Sequence, residues 1–184
     1  MQENSDSVCC SGAAQGADTS WGKSALAHGH SVMHFAFKGH RSDVPPETVH
    51  ILSRAELEKA DDHLERANKS LRRKWPVQQQ YVANLLRRNY YQVKWSESLY
   101  AISNFDSYGM VSGGTAWAVQ MMIDLHPGAG VYVFDQKVKQ WYQWKGGWIP
   151  IAKPPRPTGV YAAVGTRELN AAGKDAIEAV FSDA

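Results

Sequence analysis

The chain has 184 residues, 43% of them hydrophobic and 21% charged, with a formal net charge of +2. That length suits a single domain able to bury a substantial core, and the balance is that of an ordinary soluble globular protein. The charge is too small to imply a nucleic-acid partner by itself, and no run nears the ~20 apolar residues that a membrane span needs.

After a polar tail (Met1 to Asp6), Ser7 to Ser11 reads as a short buried strand. It holds the only cysteines, Cys9 and Cys10. Neighbours on a strand point to opposite faces, so no disulfide joins them, and both read as buried packing residues. Polar first residues, with no apolar segment behind a basic start, give the expectation of a cytoplasmic protein without a secretory leader. Thr19 to His28 reads as a helix closed by Gly29, and His30 to Phe37 as the next strand. Lys38 to Ile51 reads as a loop around Pro45-Pro46. Ser53 and Glu56 form a capping box that opens a helix from Arg54 to about Lys74. Leu57, Ala60, Leu64, Ala67 and Leu71 give it one apolar stripe. Trp75-Pro76 breaks the helix, and a second runs from about Val77 to Gln92, so that residues 53–92 form a helical insertion.

Ser98 to Ile102 is a strand, Met110-Val111 leads into a glycine turn, and Thr115 to Leu125 is the helix that follows. Val131 to Phe134 has the near-continuous apolar character of a buried parallel strand. Gln140 to Trp144 and Trp148 to Ile151, about a Lys145-Gly146-Gly147 turn, read as an antiparallel hairpin (139–152) at a sheet edge. A proline-rich connector leads to a strand from Val160 to Val164 and a last helix from Glu168 to Phe181. Strands alternating with helices predict an α/β, Rossmann-like, mostly parallel sheet with helices on both faces.

Three segments carry the functional signal: Ser11-Gly12-Ala13-Ala14-Gln15-Gly16-Ala17-Asp18, Ser112-Gly113-Gly114-Thr115 and Val164-Gly165-Thr166-Arg167-Glu168. Each follows an apolar run and precedes a predicted helix. A strand that turns tightly into a helix leaves backbone N–H groups and the positive end of the helix dipole facing outward, a ready anion site.

On these segments the sequence resembles the SLOG superfamily, the Rossmann-like group that includes the lonely-guy phosphoribohydrolases and DNA-processing protein A. Residues 11–18 look like the SGGAxGAD segment of bacterial and phage members, and Gly165-Thr166-Arg167-Glu168 looks like their G-[ST]-R-E segment. That second segment is N-terminal in many members and C-terminal here, so the chain looks like a circular permutation of their layout. The resemblance covers about half the chain and leaves out the helical insertion and the Trp-rich hairpin. It implies a nucleotide or nucleotide-derived ligand at the C-terminal ends of the strands, and homodimer formation through helices as an option. No cofactor is expected. The hydrolases carry P-G-G-x-G-T-x-x-E, but three residues after Thr115 this chain has Ala118, so the catalytic Glu has no counterpart there.

The expected phosphate cradle is Gly12, Ala13, Gln15 and Gly16 with Gly113, Gly114 and Thr115, joined by Gly165 and Thr166. Arg167 is the favoured cationic clamp; an ion pair with Glu168 is its structural alternative. Asp18 reads either as a ribose contact or as the cap of the helix after it. Glu168 reads as a ribose contact, a general acid/base or a first-turn helix charge. His40, past the end of its strand, is a candidate for the ligand rim. Arg88 belongs with Asn84, Arg87 and Asn89 to a helix edge that either faces a ligand or is solvated, and Arg72-Arg73-Lys74 also reads as a solvated helix end. His30 and His34 share a strand face but lie about 13 Å apart by strand rise, too far for one zinc, so no metal is expected. Trp141, Trp144, Trp148 and Tyr142 read as cross-strand packing before base stacking, and Trp117 as core. Binding or sensing of a nucleotide ranks first, a nucleotide N-glycosidase using Glu168 or Asp18 second, and single-stranded nucleic-acid binding third.

Overall fold

A computed structural model describes residues 6–182, so that the polar tail, Asp6 excepted, lies outside the described residues. Short apolar runs become strands with their side chains alternating between two faces. β1 (Val8–Gly12) shows this directly: Cys9 packs into one core and Cys10 into the other. The chain then forms α1 (Ala17–Ala27), β2 (Ser31–Phe37), β3 (Val49–Leu52), α2 (Arg54–Glu58), α3 (Asp61–Leu71) and α4 (Gln80–Val93). It continues with β4 (Ser98–Ser103), α5 (Thr115–Leu125), β5 (Gly130–Asp135), β6 (Gln140–Trp144), β7 (Trp148–Ile151), β8 (Val160–Gly165) and α6 (Ala171–Phe181).

The strands make one eight-stranded sheet in the order β3-β2-β1-β8-β4-β5-β6-β7. All pairs from β3 to β5 are parallel, and the hairpin β6-β7 adds an antiparallel edge. This is the expected α/β architecture. The late strand β8 lies at the centre, paired with β1 through Val8↔Val160 and with β4 through Leu99↔Ala162. Trp21, Tyr100, Tyr161, Ile177 and Phe181 fill the core between the sheet and α1 and α6. Leu64, Leu86, Leu99, Trp117 and Met121 fill the opposite core, under α2 to α5.

Several boundaries depart from the sequence expectation. Residues 49–51, read as the end of a loop, belong to strand β3, because their backbone pairs with β2 from His34↔Val49 onward. The capping box is present, with Ser53 N–H donating to Glu56 Oε2 at 2.7 Å and Glu56 N–H donating to Ser53 Oγ at 3.2 Å. The helix it opens divides at Lys59-Ala60 into α2 and α3 and stops at Arg72, whose φ of 51° is left-handed. All five residues of the predicted stripe are nevertheless buried. α1 begins at Ala17, so Asp18 is inside the helix and is not its cap. α6 begins at Ala171 behind an Asn170 cap. Glu168 therefore stands in a loop and is no first-turn helix charge. Gln136 fastens that loop, accepting from Asn170 N–H at 2.8 Å and donating to Glu168 O at 3.1 Å.

Candidate functional site

From β1 the chain crosses to α1 on one face of the sheet, and from β4 it crosses to α5 on the other, with β8 between. Such a divergence opens a crevice outside the C-terminal strand ends. Here it is a cleft of about 680 Å³ that Asp18, Arg88, Gly113, Gly114, Thr115 and Arg167 all line.

The first and third glycine segments are built as one unit. Ala17 N–H donates to Thr166 O at 3.0 Å, and Thr166 N–H donates to Ile102 O at 2.9 Å. Gly16, at φ 88°, turns the chain into α1, and a Cβ there would collide with the Arg167 carbonyl. At Gly12 a Cβ would overlap both the Arg88 guanidinium and the Asp18 carboxylate. That glycine is required by close approach.

Arg88 is the central charge. It is only 6% exposed, yet its Nη2 reaches Asp18 Oδ2 at 3.3 Å, its Nη1 reaches Phe35 O at 3.4 Å, and its Nε has no protein partner. A guanidinium carries five N–H donors, so this buried cation is poorly satisfied. Burial pulls it below its ordinary range, with the Asp18 charge acting the other way. Burial likewise raises the Asp18 carboxyl, opposed first by Arg88. His40 packs against Phe37 and Tyr81, with ring centroids 5.0 and 6.4 Å away, and its Nδ1 has no protein partner. Burial, then Arg88 and Arg167, push its pKa down to about 4. At neutral pH it is an uncharged donor and acceptor in the field of two arginines.

The second glycine segment is held from behind. Arg73 donates to Gly113 O at 2.7 Å and to Val111 O at 2.8 Å, and Asn89 Nδ2 donates to Gly114 O at 3.2 Å. At the start of α5, Ala116 N–H already donates to Gly113 O at 3.3 Å and Trp117 N–H to Gly114 O at 3.1 Å. Gly114 supplies no side-chain cap and Thr115 is the first helical residue, so Thr115 does not cap its own helix.

The remaining expected residues separate. Gly165, Thr166, Arg167 and Glu168 line the cleft, with Arg167 and Glu168 exposed at its rim. Ala13 packs with Ala36 and Val44 in a small core of its own, and Gln15 Nε2 donates to Asp43 Oδ2 at 3.2 Å. Both side chains are thus engaged outside the cradle, so only their backbone is left to serve it. The basic clusters divide, and Arg72 is exposed at the end of α3 as expected. Arg87 makes a two-pronged pair with Asp61 at 2.6 and 3.0 Å, Arg73 serves the glycine turn, and Lys74 lines the cleft. On α4 the expected polar edge divides: Asn84 bonds Gln80 and Arg87, while Arg88 and Asn89 face the cleft.

Trp117 is core, Trp144 and Trp148 pair across the hairpin, and Trp148 meets Phe105. His30 bonds the Tyr161 hydroxyl at 2.8 Å and His34 the Gly12 carbonyl at 2.5 Å. Among the described residues no three His, Cys, Asp or Glu side chains gather to hold a metal. Burial pushes the Cys10 thiol up to about 11 and raises Cys9 as well, which makes both poor nucleophiles. No helix of the described residues is long and apolar enough to cross a membrane. Sequence reasoning missed Gln92 and Asn104, which also line the cleft. For Gln92 the one available signal was its place a turn after Arg88 on the same helix. No family model, curated protein or solved structure matches the chain.

Proposed function

We propose that this chain binds a nucleotide or nucleotide-derived small molecule, phosphate first, in the cleft at the ends of β1, β8 and β4. The observation that carries the reading is Arg88, a buried guanidinium with an unpartnered Nε in the cleft that the glycine segments line. An anion there would gain charge-assisted bonds from Arg88 and Arg167, and a backbone N–H from the Gly113-Gly114-Thr115 turn ahead of Ala116. The resemblance to the SLOG superfamily points the same way, and the central place of β8 fits the permuted layout it implies.

Two carboxylates in the same cleft, Asp18 and Glu168, support a second reading, hydrolysis of a nucleotide N-glycosidic bond. It ranks lower because Ala118, where the hydrolase segment carries Glu, is fully buried packing. Single-stranded nucleic acid ranks last, since Arg73, Arg87 and Arg88 are turned to internal partners.

Mass spectrometry of small molecules released from the denatured protein, with a thermal-shift panel of nucleotides, tests the proposal. Stabilisation by an intact nucleotide, lost in Arg88→Met, is expected. Release of free base and sugar phosphate would establish the hydrolase reading instead. No ligand and no shift with any nucleotide would overturn the proposal.

A further inference from the structure

We infer that Gln92 reads the base of the bound nucleotide. This rests on the proposed function above and gives the ligand a chemical class: an aromatic heterocycle whose edge presents a donor beside an acceptor.

Gln92 lies one helical turn beyond Arg88 on α4, about 6 Å along the axis by helical rise. It is 1% exposed and lines the cleft, and neither Oε1 nor Nε2 has a protein partner. Its backbone is engaged in the ordinary way, the carbonyl accepting from Ser96 Oγ at 2.7 Å. The side chain alone is left unpaired. A carboxamide holds an acceptor and two donors, and groups so buried are almost always bonded in native proteins.

The surroundings select the partner. Leu85, Leu86, Val82 and Trp117 form an apolar wall of the cleft. Asn104, at the exit of β4, adds a second buried acceptor without a protein partner, its Oδ1. A sugar or a bare phosphate would place hydroxyl or anionic groups against that wall. A nucleobase puts its ring face there and offers Gln92 an edge for paired bonds, the geometry by which glutamine recognises a base elsewhere. With phosphate at Arg88 and the base at Gln92, one mononucleotide spans the two, and 680 Å³ is ample for it.

The experiment is calorimetric titration of the full chain and of Gln92→Leu and Gln92→Glu. The probes are the adenosine, guanosine, cytidine and uridine monophosphates and ribose 5-phosphate. The intact chain is expected to prefer one base at least tenfold over the others and over ribose 5-phosphate. Gln92→Leu should lose that preference while its affinity for ribose 5-phosphate stays the same. Gln92→Glu, a separate check should the leucine variant not fold, should shift the preference to bases with two adjacent donors. Monophosphates that bind equally whatever their base, unaffected by either substitution, would overturn the inference, with Gln92 held by water alone, and leave phosphate binding standing. Failure of every probe to bind the intact chain would overturn both.

Discussion

The two faces of the sheet bury polar groups and treat them in opposite ways. Against α1 and α6, Trp21 Nε1 donates to Val164 O at 3.0 Å, His30 meets the Tyr161 hydroxyl at 2.8 Å and Ser11 Oγ donates to Ala163 O at 2.5 Å. Against α4 and α5, Arg88, Gln92 and Asn104 each keep buried polar atoms without a protein partner, and all three line the cleft. His40 Nδ1 and Asp124 Oδ2 lie outside the cleft lining, and the second oxygen of Asp124 accepts from Gln120. Unpaired buried groups cost stability wherever they lie. Their concentration on one side marks that side as organised for a partner and the other for packing.

The largest expected effect falls on the packed face. Trp21 is fully buried and makes edge contacts with Tyr100 and Phe181 at 6.2 and 6.1 Å. Trp21→Ala should cost ~3–5 kcal/mol in urea unfolding, since it leaves a cavity and removes the bond to the Val164 carbonyl. A loss below about 1 kcal/mol would mean that this face is not the packed one.

Arg88→Met comes next and separates folding from binding. Removing the guanidinium leaves the buried Asp18 carboxylate without its ion partner, a change expected to cost ~3 kcal/mol. Adding Asp18→Asn should recover most of that loss, because the pair is then replaced as a whole. Nucleotide binding should stay lost in the double variant. If stability and binding return together, Arg88 serves the fold alone. Gly12→Ala sits between the two faces of the argument. Its methyl would press on Arg88 and Asp18 at once, and overpacking of this kind costs ~1–3 kcal/mol. Ligand affinity should fall with it, in contrast to a glycine outside the site.

Much of this was legible because strands and turns write themselves locally. Cys9-Cys10, Val131 to Phe134 and Val160 to Val164 carry buried-strand composition, and the glycine segments mark the strand exits. β3 was not legible, since Val49-His50-Ile51-Leu52 follows a proline-rich loop and becomes a strand only through pairing with β2. The start of α6 depended on Gln136, a contact made across more than 30 residues of chain. The glycine loops pointed to the right end of the sheet, yet they named Ala13 and Gln15, whose side chains serve neighbouring packing. Gln92 was missed because a polar residue on a helix looks the same in sequence whether it meets water or a cleft. Only the packing of α4 against β1, β2 and β8 tells the two apart.

The smallest effect expected concerns His40 and gives the comparison a pH axis. Its folded-state pKa of about 4 lies below the ordinary 6.5, with burial as the main cause and the charges of Arg88 and Arg167 adding to it. The folded state therefore resists protonating this ring. Its contribution to stability is present above pH 6.5 and is lost as the pH falls toward 4. Discounted for the solvent that reaches a half-buried ring, that is ~1 kcal/mol. His34 is depressed as well, so the readout is the difference between the chain and His40→Gln in urea midpoints from pH 7 to pH 4.5. A bound phosphate would offset the two arginine charges and raise the His40 pKa. Saturating nucleotide should then flatten the acid loss in the parent and leave His40→Gln almost unchanged. His40 is not among the residues that line the cleft, so equal slopes with and without nucleotide would mean that the ligand does not reach the arginine field it senses.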